Sequence, residues 1–152
     1  MATPPTMLRI ACRAGPVVCQ DAVMAKTHAE TTIARGADEV WAVFGDFQGI
    51  KNWFPGLQNV KAEGENVRII EMGPGMEITE TMISRDDAQR TLTYTVASPL
   101  LNAEKYETTI AVRDTDGGCV ATMDAVLSPD SLADLIGPVY EQAIAGLAAH
   151  FA

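Results

Sequence analysis

The sequence predicts an α+β fold: a curved antiparallel meander of strands closed by one long C-terminal helix. Three observations carry this. Between residues 57 and 127 the chain runs as alternating segments separated by short Gly, Pro and Asp turns, which leaves no room for crossover helices. From 131 to 151 apolar residues recur at spacings of three and four, the stripe of a helix of about five turns. With 152 residues, 47% of them apolar and 20% charged, the chain has the composition of one globular unit with a real core.

Residues 1–23 stand apart. They hold Arg9 and Arg13 and no acid before Asp21, whereas the remainder carries 9 basic and 19 acidic residues. Pro4, Pro5, Gly15 and Pro16 break any period there. The segment is expected to be a disordered extension or the product of an upstream start codon, with the folded domain occupying 24–152. A transit peptide would share the Arg-rich, acid-poor bias. A secretory signal is not expected, because Arg9 and Arg13 interrupt the apolar run. Val18 likewise is not the small residue that lipoprotein processing at Cys19 would need.

The Thr-rich stretch 26–33 reads as the first strand. Val40, Trp41, Val43, Phe44 and Phe47 then come at helical spacing, with Ala37 or Asp38 near the cap. Gly45, Gly49, Pro55 and Gly56 divide residues 45–56 into a second short helix and a loop. Six further strands are expected at 57–63, 66–73, 76–85, 90–98, 104–114 and 118–127. The turns between them fall at Gly64, Gly73-Pro74-Gly75, Asp86-Asp87, Ser98-Pro99 and Asp116-Gly117-Gly118. After Ser128-Pro129-Asp130-Ser131, with Asp130 or Ser131 as cap, the final helix carries Leu132, Leu135, Ile136, Val139, Tyr140, Ala143, Ile144, Leu147 and Phe151. Gly137-Pro138 should kink or loosen its first turns.

Strand alternation also predicts which residues share a face. A turn centred on Pro74 places Met72 opposite Met76, Ile70 opposite Ile78 and Arg68 opposite Glu80. One near Asp87 places Met82 opposite Leu92, Glu80 opposite Tyr94 and Ile78 opposite Val96. One near Leu101 places Tyr94 opposite Thr108 and Val96 opposite Tyr106, with Ile110 and Val112 on the same face. The result is a transverse polar row, Arg68, Glu80, Tyr94 and Thr108, across an otherwise apolar inner surface. The row reads either as an internally neutralised structural pair or as the polar handle of a ligand pocket. Met72, Met76, Met82 and Met123 fall on inward positions, where thioethers suit a packed core and an adaptable cavity wall equally.

A net charge of −9 repels phosphate backbones and acidic membrane surfaces, and no basic patch offsets it. Neither nucleic-acid binding nor stable membrane insertion is expected. Cys12, Cys19 and Cys119 show no CxxC spacing, and His28 and His150 lie in no metal or triad motif, so no metal site and no cofactor are expected. Cys119 reads as a small wall residue, and a reducing, cytoplasmic setting fits best.

Val40-Trp41, Phe44-Gly45-Asp46-Phe47, Ile50, Trp53-Phe54-Pro55-Gly56, Gly75, Glu80, Asp86-Asp87, Tyr94, Pro99-Leu100 and Tyr106 together resemble the START-like, or SRPBCC, superfamily in its bacterial polyketide cyclase/dehydrase and lipid-transport branch. The resemblance covers about residues 26–152, and its most specific piece is Val40 to Gly56. It implies a helix-grip fold, a bent seven-stranded antiparallel sheet wrapped around a long C-terminal helix, with two short helices after strand 1 and a hydrophobic cavity between sheet and helix. Met123 stands where relatives often carry Trp, which would enlarge or soften that cavity.

On this basis the expected ligand-binding residues are Arg68, Ile70, Met76, Ile78, Glu80, Met82, Tyr94, Val96, Tyr106, Thr108, Ile110, Met123, Val139 and Ala143. Trp53, Phe54, Pro74, Leu100 and Leu101 are expected at the mouth. The first functional expectation is a carrier of a small hydrophobic molecule such as a lipid, polyketide or aromatic compound. The alternatives are a cyclase or dehydratase using Glu80 as acid or base, which an Arg partner would disfavour, and a protein-interaction module. The sequence leaves a homodimer open.

Overall fold

The computed structural model describes residues 24–152; the expectations for residues 1–23, Cys12 and Cys19 fall outside it. The elements run in the order β1 (Ala25–Ile33), α1 (Ala37–Phe44), a 3-10 segment (Phe47–Asn52), β2 (Asn59–Ala62), β3 (Val67–Gly73), β4 (Met76–Asp86), β5 (Thr91–Ala97), β6 (Lys105–Thr115), β7 (Gly118–Ser128) and α2 (Leu132–His150). All seven strands form one antiparallel sheet in the order β1-β7-β6-β5-β4-β3-β2. The meander therefore runs from β2 to β7, and β1 pairs with its far end. This is the helix-grip architecture.

Gly36 takes the N-cap of α1 in extended backbone, one residue before the expected position, and Asp38 and Glu39 lie in the first turn, where the helix dipole favours acids. The N-cap of α2 is Ser131, although its hydroxyl makes no capping bond. Pro138 lies within α2, and the helix runs from Leu132 to His150 without a break. Leu132, Ile136, Tyr140, Ala143, Ile144 and Leu147 are buried along its inner stripe. The helix leans on β1 and β7, while its first turns face β3 to β6 across open space.

The opposite end of the helix is held close. A Cβ on Gly146 would lie 2.6 Å from Pro55 Cδ and 2.7 Å from the Trp53 carbonyl oxygen, so only glycine permits this approach of loop to helix. The Trp53 ring then packs edge-on against Phe44 at 5.0 Å between centroids.

Two β-bulges alter the expected register. In the β3–β4 hairpin, Arg68 pairs with Glu80 and Ile70 with Ile78 as expected, but Gly73 pairs with Met76 and Met72 becomes the extra residue. Pro74 and Gly75 alone make the turn, with Gly75 at φ +74°. In the β4–β5 hairpin, Asp86 pairs with Thr91, and the turn centres between Ala88 and Gln89 instead of on Asp87. A bulge at Ile83, which is 53% exposed, then shifts the ladder again. Glu80 consequently lies opposite Val96 and Tyr94 opposite Met82, so the predicted polar row breaks between β4 and β5. Tyr94 does pair with Thr108.

Candidate functional site: a cavity between the sheet and the C-terminal helix

Where α2 stands off the sheet, a cavity of about 350 Å³ remains. Ile70 and Met72 of β3, Met76 and Ile78 of β4, and Val96 of β5 form one wall, with Leu135, Ile136 and Val139 of α2 facing them. Phe54, Leu57, Leu100 and Leu101 close in from the loops. Alternate residues of a strand share a face, so each strand delivers its aliphatic side chains to this wall and most of its Thr and Glu residues to the other, with Glu80 of β4 an exception.

The polar groups of the wall are Glu80, Tyr94, Tyr106, Tyr140 and Ser98. Glu80 is paired with Arg68 of the neighbouring strand: Arg68 Nε donates to Glu80 Oε1 at 2.7 Å, and Nη2 lies 2.6 Å from the same oxygen. Arg68 Nη1 donates to the carbonyl of Phe47. The guanidinium carbon stacks 3.9 Å from the Phe47 ring centroid and 4.9 Å from that of Tyr94. Both charged residues are buried, with Arg68 4% and Glu80 7% exposed. A buried pair persists only when its charges are well bonded, and here the aromatic rings and the Phe47 carbonyl complete the set around the guanidinium.

Deeper in, the Tyr140 hydroxyl of α2 is 2.8 Å from the Tyr106 hydroxyl and 2.7 Å from Thr108 Oγ1, which ties the helix to β6. Burial holds the phenols of Tyr94 and Tyr140 well above the ordinary tyrosine range, and the adjoining phenols and the Glu80 charge add to it. Tyr106 is raised for the same leading reason. All three remain neutral hydrogen-bonding groups at physiological pH.

The family model for polyketide cyclase / dehydrase and lipid transport matches residues 24–152. The chain belongs to this family. It is START-like, and solved structures of the same fold include an uncharacterised protein of Bacillus thuringiensis at 23% identity, covering 84% of this chain and 98% of that one with a TM-score of 0.72. The protein XoxI of Bacillus cereus is 22% identical, with 85% and 95% coverage and a TM-score of 0.71. Norcoclaurine synthase of Thalictrum flavum is 21% identical, with 85% and 91% coverage and a TM-score of 0.67. No curated protein matches by sequence.

Within this family fold the expected site residues divide into groups. Ile70, Met76, Ile78, Glu80, Tyr94, Val96, Tyr106 and Val139 line the cavity, as do Phe54, Leu100 and Leu101 near its opening. Arg68 lies behind Glu80, and Thr108 lies beneath Tyr140. Ile110, Met123 and Ala143 are corrections, because they are packed into solid core, with Met123 fully buried between its strand partners Ala29 and Ile110. Cys119 is likewise a buried core thiol. Met82 instead borders a separate open groove beside Trp41, Arg85 and Asp87. Trp53 is buried against Phe44 rather than set at the mouth, and Pro74 is exposed at its turn.

Sequence reasoning missed Tyr140, Ile136, Leu135, Leu57 and Ser98 as lining residues. Tyr140 carried a usable signal: a lone tyrosine on an aliphatic helix stripe needs a buried partner for its hydroxyl. His28 bridges Glu30 and Asp124 on the outer face of the sheet, away from the cavity. Among the described residues no cluster of His, Cys, Asp and Glu could hold a metal ion, and no helix is long and apolar enough to cross a membrane.

Proposed function

We propose that this protein binds and carries a small, largely apolar molecule, held in the cytoplasm in the space between β3–β6 and the first turns of α2. The observation behind this reading is a largely apolar cavity of about 350 Å³ with one buried ion pair at its wall. That volume is within the range of small-molecule sites. A fused aromatic system or a short acyl chain is the kind of guest proposed. Family membership and fold support hydrophobic ligand binding in general.

Co-purified small molecules, released by denaturing the protein and identified by mass spectrometry, test the proposal. A wild-type preparation is expected to release an apolar compound, and Ile78→Trp, which fills the cavity, should lower its yield at least about tenfold. Equal recovery from both would place the ligand elsewhere. The enzyme alternative draws on the same Glu80 carboxylate. A substrate recovered from Glu80→Gln but only as product from wild type would favour it over carriage.

A further inference from the structure

The polar groups of the cavity wall are not equally available to a guest. The Tyr140 hydroxyl is engaged with Tyr106 and Thr108, the Tyr94 phenol interacts with that same Tyr140 hydroxyl, and Ser98 donates to the Glu77 carbonyl and accepts from the Leu100 amide. The Arg68 guanidinium is bonded to Glu80 and Phe47 and overlaid by two rings, and it does not border the cavity.

Glu80 differs. Both guanidinium bonds end on Oε1, and Oε2 takes no hydrogen bond from any described residue. Nor is it sealed: the sealed, unpartnered side-chain atoms among the described residues are Thr27 Oγ1, Gln48 Oε1 and Trp53 Nε1. Glu80 is 93% removed from solvent, being 7% exposed, and borders the cavity, so this free oxygen opens into it.

From this geometry, and resting on the reading of the cavity as a ligand site, we infer that the protein selects apolar molecules bearing a hydroxyl group, with Glu80 Oε2 accepting its proton in a hydrogen bond. Three kinds of guest can be compared. A hydrocarbon would expel water from Oε2 and leave a carboxylate oxygen unpaired. A carboxylate guest would face a like charge, with the compensating guanidinium screened behind it. An alcohol or phenol supplies the missing donor and brings no charge that must be desolvated. Arg68 is then a positioning residue. By taking Oε1 and fixing the carboxylate plane, it leaves Oε2 directed at the guest.

Naphthalene, 1-naphthol and 1-naphthoate share one ring system and suit the cavity, so calorimetric titration of the full chain with each separates the three cases. The expected result is 1-naphthol binding at least about tenfold tighter than either of the others. In Arg68→Met/Glu80→Leu, which replaces the pair by apolar side chains, naphthalene should bind as well as or better than 1-naphthol. Naphthalene or naphthoate binding to wild type as tightly as naphthol would overturn the hydroxyl preference and leave the cavity reading intact. Failure of all three probes would overturn both. A preference that survives in the double variant would assign it to the tyrosines and overturn the role of Glu80. Isotope-edited infrared spectroscopy of wild type gives an independent readout, because 1-naphthol should shift a carboxylate stretch that naphthalene leaves in place. The absence of that shift on saturation with naphthol would also overturn the inference.

Discussion

The two halves of the sheet face the same helix and meet it differently. Along β6, β7 and β1 the ladders run without a bulge, and Met123, Ala125 and Leu127 are fully buried. Along β3, β4 and β5 two bulges interrupt the ladders, Ile78 is only partly buried and Met76 is 47% exposed. Helix α2 leans on β7 and β1 of the first half and stands off the second. Bulges bend a strand and raise its local twist, and both fall in the half that borders the cavity, while the regular half is solid core. The halves differ in their local pairing, without any change in the kind of residue used.

The largest effect should come from dividing the ion pair in the open half. Glu80→Leu alone strands a buried guanidinium, which cannot give up its proton, and should cost about 3 to 5 kcal/mol in urea unfolding. Arg68→Met/Glu80→Leu together should recover most of that loss. If the double variant is as unstable as the single, the pair is not the unit described. A smaller contrast sharpens the comparison directly. Met123→Ala in the closed half should cost about 2 to 5 kcal/mol, whereas Ile78→Ala beside existing empty space should cost less than about 1.5. Equal losses would mean that both halves are solid.

The smallest effect belongs to the outer face of the closed half. Hydrogen bonds to Glu30 and then Asp124 raise the His28 pKa above its ordinary 6.5. Stability from the protonated form is therefore fully present below that value and is lost as pH rises through the folded pKa. The side chain is 54% exposed, so solvent screening leaves only a few tenths of a kcal/mol. His28→Gln should lower the melting temperature slightly at about pH 5.5 and leave it unchanged at about pH 8.5.

The two halves are also unequally legible in sequence. Alternation and turn chemistry locate every strand, and the Arg68–Glu80 pair is readable because only a two-residue turn separates its strands. The departure comes at β4–β5, where Ile83 reads as an ordinary alternating residue and nothing in its identity marks a bulge. Cavity and core are harder to tell apart. Ile78 borders the empty space and Ile110 is packed solid, although each is an isoleucine on an inward position of an apolar face. Alternation reports the direction of a side chain, while the fit on the far side depends on where the helix lies.

The glycine at position 146 makes the two ends of the terminal helix unlike. The Trp53–Pro55 loop is pressed against one end, whereas the turns around Leu135 and Val139 border open space. A side chain at 146 would meet Pro55 and the Trp53 carbonyl and push that loop off the helix. The absence of a single Cβ is thus what seats the loop that carries Trp53.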